Sequence, residues 1–221
     1  MKNFSNRYIF LYITVLVMIV AVVLAIAATS LKPRQDANRA KETIIQIMEV
    51  AGYKDFKGDI LNKYKQVAKE IQLPQSEGED SLKVIEVTAP DGKTEYILSL
   101  HGKGLWGAIW GYICFADDGN TINGTVFAHK SETPGLGAEI ATPKFENSFI
   151  GKTIFDENGD FVSVRVVKGG VAASNISPQH GVDAISGGTI TSNGVDKMLF
   201  NCLQVYVPFL KNLQNKQFST H

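Results

Sequence analysis

The stretch Val182-Asp-Ala-Ile-Ser-Gly-Gly-Thr-Ile-Thr-Ser-Asn-Gly-Val195 concentrates one carboxylate, four small hydroxyls and two adjacent glycines. An apolar-periodic run follows through Val195, Met198, Leu199, Cys202, Leu203, Val205 and Tyr206. That spacing predicts a helix beginning near Ser192 or Asn193, both good N-caps. A helix N-terminus gathers unpaired N–H groups and positive dipole and so attracts phosphate. Gly187 and Gly188 let the backbone turn tightly and approach a ligand, leaving the Thr189 hydroxyl exposed at the helix mouth. A Gly-Ser-Thr loop capping an ordinary helix fits the same composition.

Three further loops carry residues suited to a flat, charged ligand. In His101-Gly-Lys-Gly-Leu105-Trp106-Gly107, three glycines surround a tryptophan that could face a planar ring or fill the core. In Glu132-Thr133-Pro134-Gly135-Leu136-Gly137, Pro134 stiffens the loop, Gly135 and Gly137 offer N–H groups, and Leu136 offers an apolar surface. A plain Pro-Gly turn would need neither Glu132 nor the second glycine. Lys168-Gly169-Gly170 places a cation ahead of the 182–195 stretch, either as a phosphate partner or as a solvated side chain.

Asp183-Ala-Ile-Ser186-Gly187-Gly188-Thr189 resembles the flavinylation motif of the FMN-binding domain family, in which the last threonine carries FMN through a phosphoester. Gly188 stands where that family usually has alanine. Thr191-Ser192-Asn193-Gly194-Val195 and His101 to Trp106 are similar to one branch, the C subunits of the sodium-translocating NADH:quinone oxidoreductases. The resemblance implies covalent FMN on Thr189, with Asp183, Ser186, Gly187, Gly188 and Thr191 around the attachment point. It implies that the 132–137 loop and Leu105-Trp106 enclose the isoalloxazine, with Lys168 near the phosphate or the reduced ring. No catalytic side chain and no metal ligand is expected in this chain.

The elements that must position these loops change character along the chain. Asn38 to Val50 and about Asp59 to Gln72 keep helical apolar spacing. Leu73 to Asp80 is polar, with Pro and Gly, and reads as a loop. Lys83–Thr88 and Thr94–Leu100 alternate around Pro90-Asp91-Gly92, a hairpin signal. Ala108–Ala116 and Thr121–Ala128 flank Asp117-Asp118-Gly119-Asn120, a second one. Phe161–Val167 reads as a strand, and about Ala138–Phe149 as a short helix interrupted near Pro143. The fold class expected is α+β: one N-terminal transmembrane helix, then an FMN-binding domain with a mainly antiparallel sheet and flanking helices.

Residues 8–31 carry no charged side chain, which exceeds the about 20 residues a helix needs to span a bilayer. A cleaved signal peptide has a shorter apolar run, typically about 7–15 residues, so a retained anchor is expected. The segments are then a short tail over 1–7, the transmembrane helix over 8–31, a helical stalk and connector over 32–80, and the FMN-binding domain over 81–221. Lys2 and Arg7 precede the span, while Lys32, Arg34, Arg39 and Lys41 follow it. Charge alone therefore favours the large domain inside. The resemblance implies the opposite, the outer, periplasmic face of a bacterial inner membrane, and that orientation is the one expected.

Twenty-two basic and twenty-two acidic side chains give zero net charge, so there is no electrostatic case for nucleic acid. Cys114 and Cys202 form no CxxC, which disfavours an iron–sulfur or zinc site in this chain. Gly92-Lys93-Thr94 and Gly151-Lys152-Thr153 lack the upstream glycine of a phosphate-binding P-loop. The resemblance implies a one-electron relay from a 2Fe–2S centre to this FMN, then to a second covalent FMN on another subunit, and on to riboflavin and quinone. Sodium export would be coupled by other subunits, and a separate flavin transferase would attach the FMN. Two alternatives stand beside it: the G subunit of the related Rnf ferredoxin:NAD oxidoreductase complex, and a flavin-free membrane-anchored binding domain.

Overall fold

Alternating strands, tight turns and one long apolar-periodic run account for most of the architecture. The computed structural model describes residues 5–54, 59–73 and 82–218. They divide into two compact units, Met1–Thr43 and Ile44–His221. The uncharged segment lies in helix α1, Asn6–Val50, the one helix among the described residues long and apolar enough to cross a membrane. Side chains over 8–31 are exposed all round. Three of its hydroxyls are satisfied internally: Thr14 donates to the Phe10 carbonyl (2.9 Å), Thr29 to Ala25 (2.7 Å) and Ser30 to Ala27 (3.1 Å). Such back-bonding suits a helix in a medium that offers no partners.

In the second unit, helix α2 spans Ile60–Val67 and is capped by Asp59, whose Oδ1 accepts from Asn62 N at 3.3 Å. The helix expected to reach Gln72 ends at Val67, and Ala68–Leu73 is strand β1 instead. Ile71 and Leu73 fit a strand as well as a helix, and antiparallel pairing with β2, Leu82–Thr88, decides between them. The loop expected from 74 to 80 lies outside the described residues. Strands β3 (Thr94–Lys103), β4 (Ala108–Phe115) and β5 (Ile122–His129) complete a five-stranded antiparallel meander in sequence order. Both expected hairpins are present, with Gly92 at φ +85 and Gly119 at φ +62 in their turns.

The sheet is covered on both faces. Val84, Leu98, Leu100, Ile113 and Phe115 pack against helix α4, Thr189–Phe218, through Val195, Met198, Leu199, Leu203 and Tyr206. Complete burial contributes about 1.5–3 kcal/mol for each large side chain. A Cβ on Gly102 would lie 2.8 Å from Met198 Cβ, so glycine there permits close approach of helix and strand. On the other face Val87, Ile97, Cys114 and Val126 meet Ile47, Val50 and Ala51.

The expected short helix between 138 and 149 appears as two 3-10 turns, Gly137–Ala141 and Asn147–Phe149, around helix α3, Pro143–Glu146. The strand expected over 161–167 is shorter: β6 covers only Arg165–Val167, paired in parallel with β7, Gly181–Asp183. Ser163, buried at φ +60, breaks the extended run before it. Helix α4 starts at Thr189, not near Ser192. The Gly188 carbonyl accepts the first helical bond from Ser192 N (2.8 Å), and the Ser192 hydroxyl accepts from Ile185 N (3.1 Å). Ser192 is thus a tether for the preceding turn and not an N-cap.

Candidate functional site

The 182–195 stretch folds as the sharp entry to α4. Gly187 sits at φ +75, and a Cβ there would meet Leu136 Cδ2 at 2.6 Å. Gly188 is buried, with the Leu136 carbonyl 3.2 Å from where its Cβ would stand. The 132–137 loop therefore rests directly on the paired glycines. Among the four hydroxyls, burial divides the set: Thr191 is 1% exposed and Ser192 0%, both hydrogen-bonded, whereas Ser186 is exposed and Thr189 half-buried. Thr189 is the first residue of a 30-residue helix, where backbone N–H groups lack intrahelical partners. Phosphate at that position meets the positive end of the helix dipole.

Glu132 lies beneath this surface. Its side chain is 4% exposed. Oε1 accepts from Trp106 N at 2.8 Å, and Oε2 accepts from the Thr191 hydroxyl at 2.6 Å. The Glu132 amide donates to His129 Nδ1 at 3.2 Å. Burial by itself would raise the Glu132 carboxyl. The Thr191 hydroxyl, the Trp106 and Gly107 amides and nearby His129 outweigh it and hold it below the ordinary glutamate value. The sequence grouped Glu132 with the ring-facing residues, but its carboxylate is turned inward and takes its bonds there.

The rest of that loop is open. Thr133, Pro134, Gly135 and Leu136 are exposed, Gly135 at φ +74. Gly135 N, expected to be free for a ligand, donates to Glu139 Oε1 at 3.0 Å. Gly137, also expected to offer an amide, is buried against Thr191 and Glu132. Leu105 and Trp106 are surface residues, 45% and 68% exposed, and Trp106 is not core. Their loop is held near α4 because Gly194 has no side chain: a Cβ there would lie 2.5 Å from the Lys103 carbonyl.

Asp183 does not join the network around Glu132. Its Oδ1 accepts from Val171 N at 2.7 Å and so fixes the Gly169-Gly170 turn, both glycines having positive φ. Lys168 follows Val167, the register partner of Asp183, and is exposed. No hydrogen bond or ion pair ties it to the Thr189 turn among the described residues.

A groove of about 830 Å³ opens where the two loops meet, lined in part by Gly135, Glu139, Lys144, Lys152, Asp183 and Ser186. Leu105 and Trp106 do not line it. Its size lies within the roughly 300–1,000 Å³ of small-ligand pockets. Lys144 carries no positional signal in the sequence, and Lys152 stands there only in Gly151-Lys152-Thr153, which fails as a P-loop. Thr189, Gly187, Gly188 and Leu136 do not line the groove either; only Gly135, Asp183 and Ser186 of the expected site residues do. A half-buried threonine at a helix start, the paired glycines beside it and exposed Leu136 fit a phosphorylated, planar group.

The fold and the site define a class that the comparisons name: the FMN-binding domain family matches residues 104–204. The C subunit of the Na(+)-translocating NADH-quinone reductase of Vibrio anguillarum is 30% identical, over 88% of this chain and 89% of that protein. The crystal structure of the corresponding subunit from Parabacteroides distasonis is 41% identical with a TM-score of 0.71, covering 81% of this chain and 96% of that one. Shewanella oneidensis NqrC is 26% identical with a TM-score of 0.66, covering 80% and 99%. The chain belongs to the family of C subunits of the Na(+)-translocating NADH-quinone reductases.

Proposed function

We propose that this chain is an electron-relay subunit of a membrane-bound, sodium-translocating NADH:quinone reductase, with FMN attached by a phosphoester to Thr189. The observation that carries this reading is the division of the hydroxyls: Thr189 is accessible at the helix start, while Thr191 and Ser192 are buried and engaged. Membership of the subunit family supports the relay role. When bound, FMN supplies the one-electron redox chemistry that standard side chains lack.

The chain's own residues attach, orient and shield. Thr189 Oγ1 would carry the FMN phosphate, and the first turn of α4 would stabilise its charge. Leu136, Trp106 and Leu105 offer apolar surface to the ring, and Pro134 limits movement of the loop. Lys168 is available to the phosphate or the reduced ring, with Asp183 fixing the turn that follows it. Covalent attachment keeps the cofactor on a domain from which free FMN would be lost. NADH oxidation and sodium movement fall to other subunits, and the chain alone has no complete activity. Its partners are a 2Fe–2S donor, a second covalent-FMN subunit, and a flavin transferase for maturation.

Residues 8–31 anchor the chain in a bacterial inner membrane, with residues 81–221 forming the FMN domain on the periplasmic face. Protease added to intact spheroplasts should digest that domain. Digestion only after lysis would reverse the orientation.

The attachment is tested by peptide mass spectrometry of wild type and Thr189→Val, each co-expressed with a flavin transferase. Valine keeps the branched shape and deletes the oxygen. FMN mass on the peptide containing residues 186–192 should vanish in the variant. Persistence there would move the acceptor to Ser186, the other accessible hydroxyl. A wild type without flavin would overturn the reading.

A further inference from the structure

Glu132 combines features that a ring-contacting loop residue would not have. It is a carboxylate 4% exposed, and no lysine or arginine among the described residues pairs with it. Its two oxygens divide their bonds between parts of the chain far apart in sequence: Trp106 N on the β3–β4 loop and the Thr191 hydroxyl in the first turn of α4. The 2.6 Å contact with Thr191 has the length of a charge-assisted O–H···O bond. Space for the carboxylate is provided by glycines. A Cβ on Gly104 would lie 2.6 Å from Oε1, and one on Gly137 would lie 2.6 Å from Oε2 and closer still to Thr191 Oγ1. Neither Gly104 nor Gly137 has positive φ, so room and not backbone conformation is what these positions require.

Few other hydrogen bonds tie the two loops to each other. The Gly104–Gly107 turn closes on one backbone bond, Gly104 N to Gly107 O at 2.8 Å, and Ser131 Oγ adds a 3.3 Å bond to Trp106 O. Leu105, Trp106 and Leu136 are exposed and gain little from burial.

We propose that Glu132 is a positioning residue: its buried carboxylate locks the Trp106 loop and the 132–137 loop to the first turn of α4. The surface offered to the ring and the helix turn that bears Thr189 then move as one piece. The consequence for flavin rests on the proposed attachment at Thr189. The mechanical tie does not.

The experiment uses the full chain in detergent as wild type, Glu132→Ala and Glu132→Gln, each made with and without the flavin transferase. In Gln, Oε1 still accepts from Trp106 N, the amide donates to Thr191 Oγ1, and the Thr191 hydroxyl can turn to the Gly187 or Gly188 carbonyl just ahead of the helix. In the unflavinylated protein, Glu132→Ala should speed exchange of the hydrogen-bonded Gly104 and Ser192 amides, in segments 104–107 and 189–192, by about tenfold or more. Exchange in β3 and β4 should not change, and Gln should bring the rates most of the way back to wild type. In the flavinylated protein, iodide should quench the flavin of the Ala variant at least about twice as strongly as that of wild type, with Gln again restoring it. Unchanged exchange in those segments, an increase spread evenly over the domain, or failure of Gln to rescue would overturn the proposal. If Glu132→Ala does not fold, Thr191→Val removes one tie alone and should speed exchange in 189–192. Absence of flavin on wild type would defeat the Thr189 reading, with the exchange arm still deciding the role of Glu132.

Discussion

Glu132 and Glu95 are both buried carboxylates, each taking hydrogen bonds from remote groups, yet they sit in opposite structural settings. Glu95, 7% exposed on β3, accepts from Cys114 Sγ on β4 (3.0 Å) and from Asn123 Nδ2 on β5 (2.6 Å). Those three strands are already fixed by ladders that pair Ile97 with Cys114 and Cys114 with Gly124. Glu132 lies past the end of β5, and its donors belong to a loop and a helix start that no ladder joins. Removing one carboxylate leaves the Cys114 thiol unpaired inside a rigid sheet; removing the other loosens segments that few other hydrogen bonds join. Similar chemistry therefore serves stability at one end of the domain and site order at the other.

The largest effect should come from the sheet side. Glu95→Ala strands the buried Cys114 thiol, while the exposed Asn123 amide can turn to water, at a cost of about 1–3 kcal/mol. For a domain of this size that lowers Tm by roughly 2–12 °C. Flavin attachment and its iodide quenching should match wild type. A site-restricted change in exchange with Tm unmoved would erase the distinction between the two carboxylates. The same pocket leaves Cys114 inert: burial first, then the Glu95 charge and hydrogen bond, push its thiol well above the usual range. Alkylating reagents should label it only in unfolded protein.

Next in size is Gly187→Ala, on the site side. Its φ of +75 disfavours any side chain, and the added methyl would meet Leu136 Cδ2 at 2.6 Å. Strain of about 1–2 kcal/mol is expected, with Leu136 displaced. Circular-dichroism melts should show a modest loss, while flavin quenching by iodide rises. Unchanged quenching would mean that Leu136 does not face the ring.

The two sides are not equally legible in the sequence. The sheet is, because Pro90-Asp91-Gly92 and Asp117-Asp118-Gly119-Asn120 interrupt clear alternation. Residues 68–72 read wrongly as helix because Ile71 satisfies both periods, and only pairing with β2 decides. Ser192 reads as a cap from its type, but its hydroxyl serves Ile185 N seven residues back. Thr189 is identifiable as an accessible hydroxyl after paired glycines. The inward turn of Glu132 is not, since a glutamate in a polar Pro-Gly loop ordinarily faces water. The only trace of it is glycine at 104 and 137, and sequence does not say whether a glycine serves conformation or space.

Acid should act on the site side with a smaller, directional effect. The folded carboxyl of Glu132 lies below the ordinary value of 4.5, so ionisation favours the folded state. That contribution is complete above about pH 4.5 and is lost as pH falls through the folded value. Glu132→Gln lacks it at every pH. The difference in Tm between wild type and Gln should therefore narrow as pH drops below about 4.5. A difference that stays constant on further acidification would show that the Glu132 charge contributes nothing beyond its hydrogen bonds.

The smallest effect belongs to Gly188→Ala, which installs the residue usual in the FMN-binding domain family. Gly188 has no positive φ, so alanine meets no backbone strain. Its methyl would lie 3.0 Å from Ile185 Cγ2 and 3.2 Å from the Leu136 carbonyl, contacts that require a shift of a few tenths of an ångström. Ile185 is only partly buried and Leu136 lies on an exposed loop, so both can yield. Replacing glycine lowers the entropy of the unfolded chain, worth about 0.4–1 kcal/mol in favour of folding. Against this, alanine is a poorer residue than glycine at the position whose carbonyl accepts the first bond of α4, a cost of similar size. The net change should stay within about 0.5 kcal/mol, with Thr189 still flavinylated to the wild-type level. A loss above about 1 kcal/mol would mean that the Leu136 loop cannot move away from the acceptor turn, which would extend the rigidity assigned to Glu132 across the whole 132–137 loop.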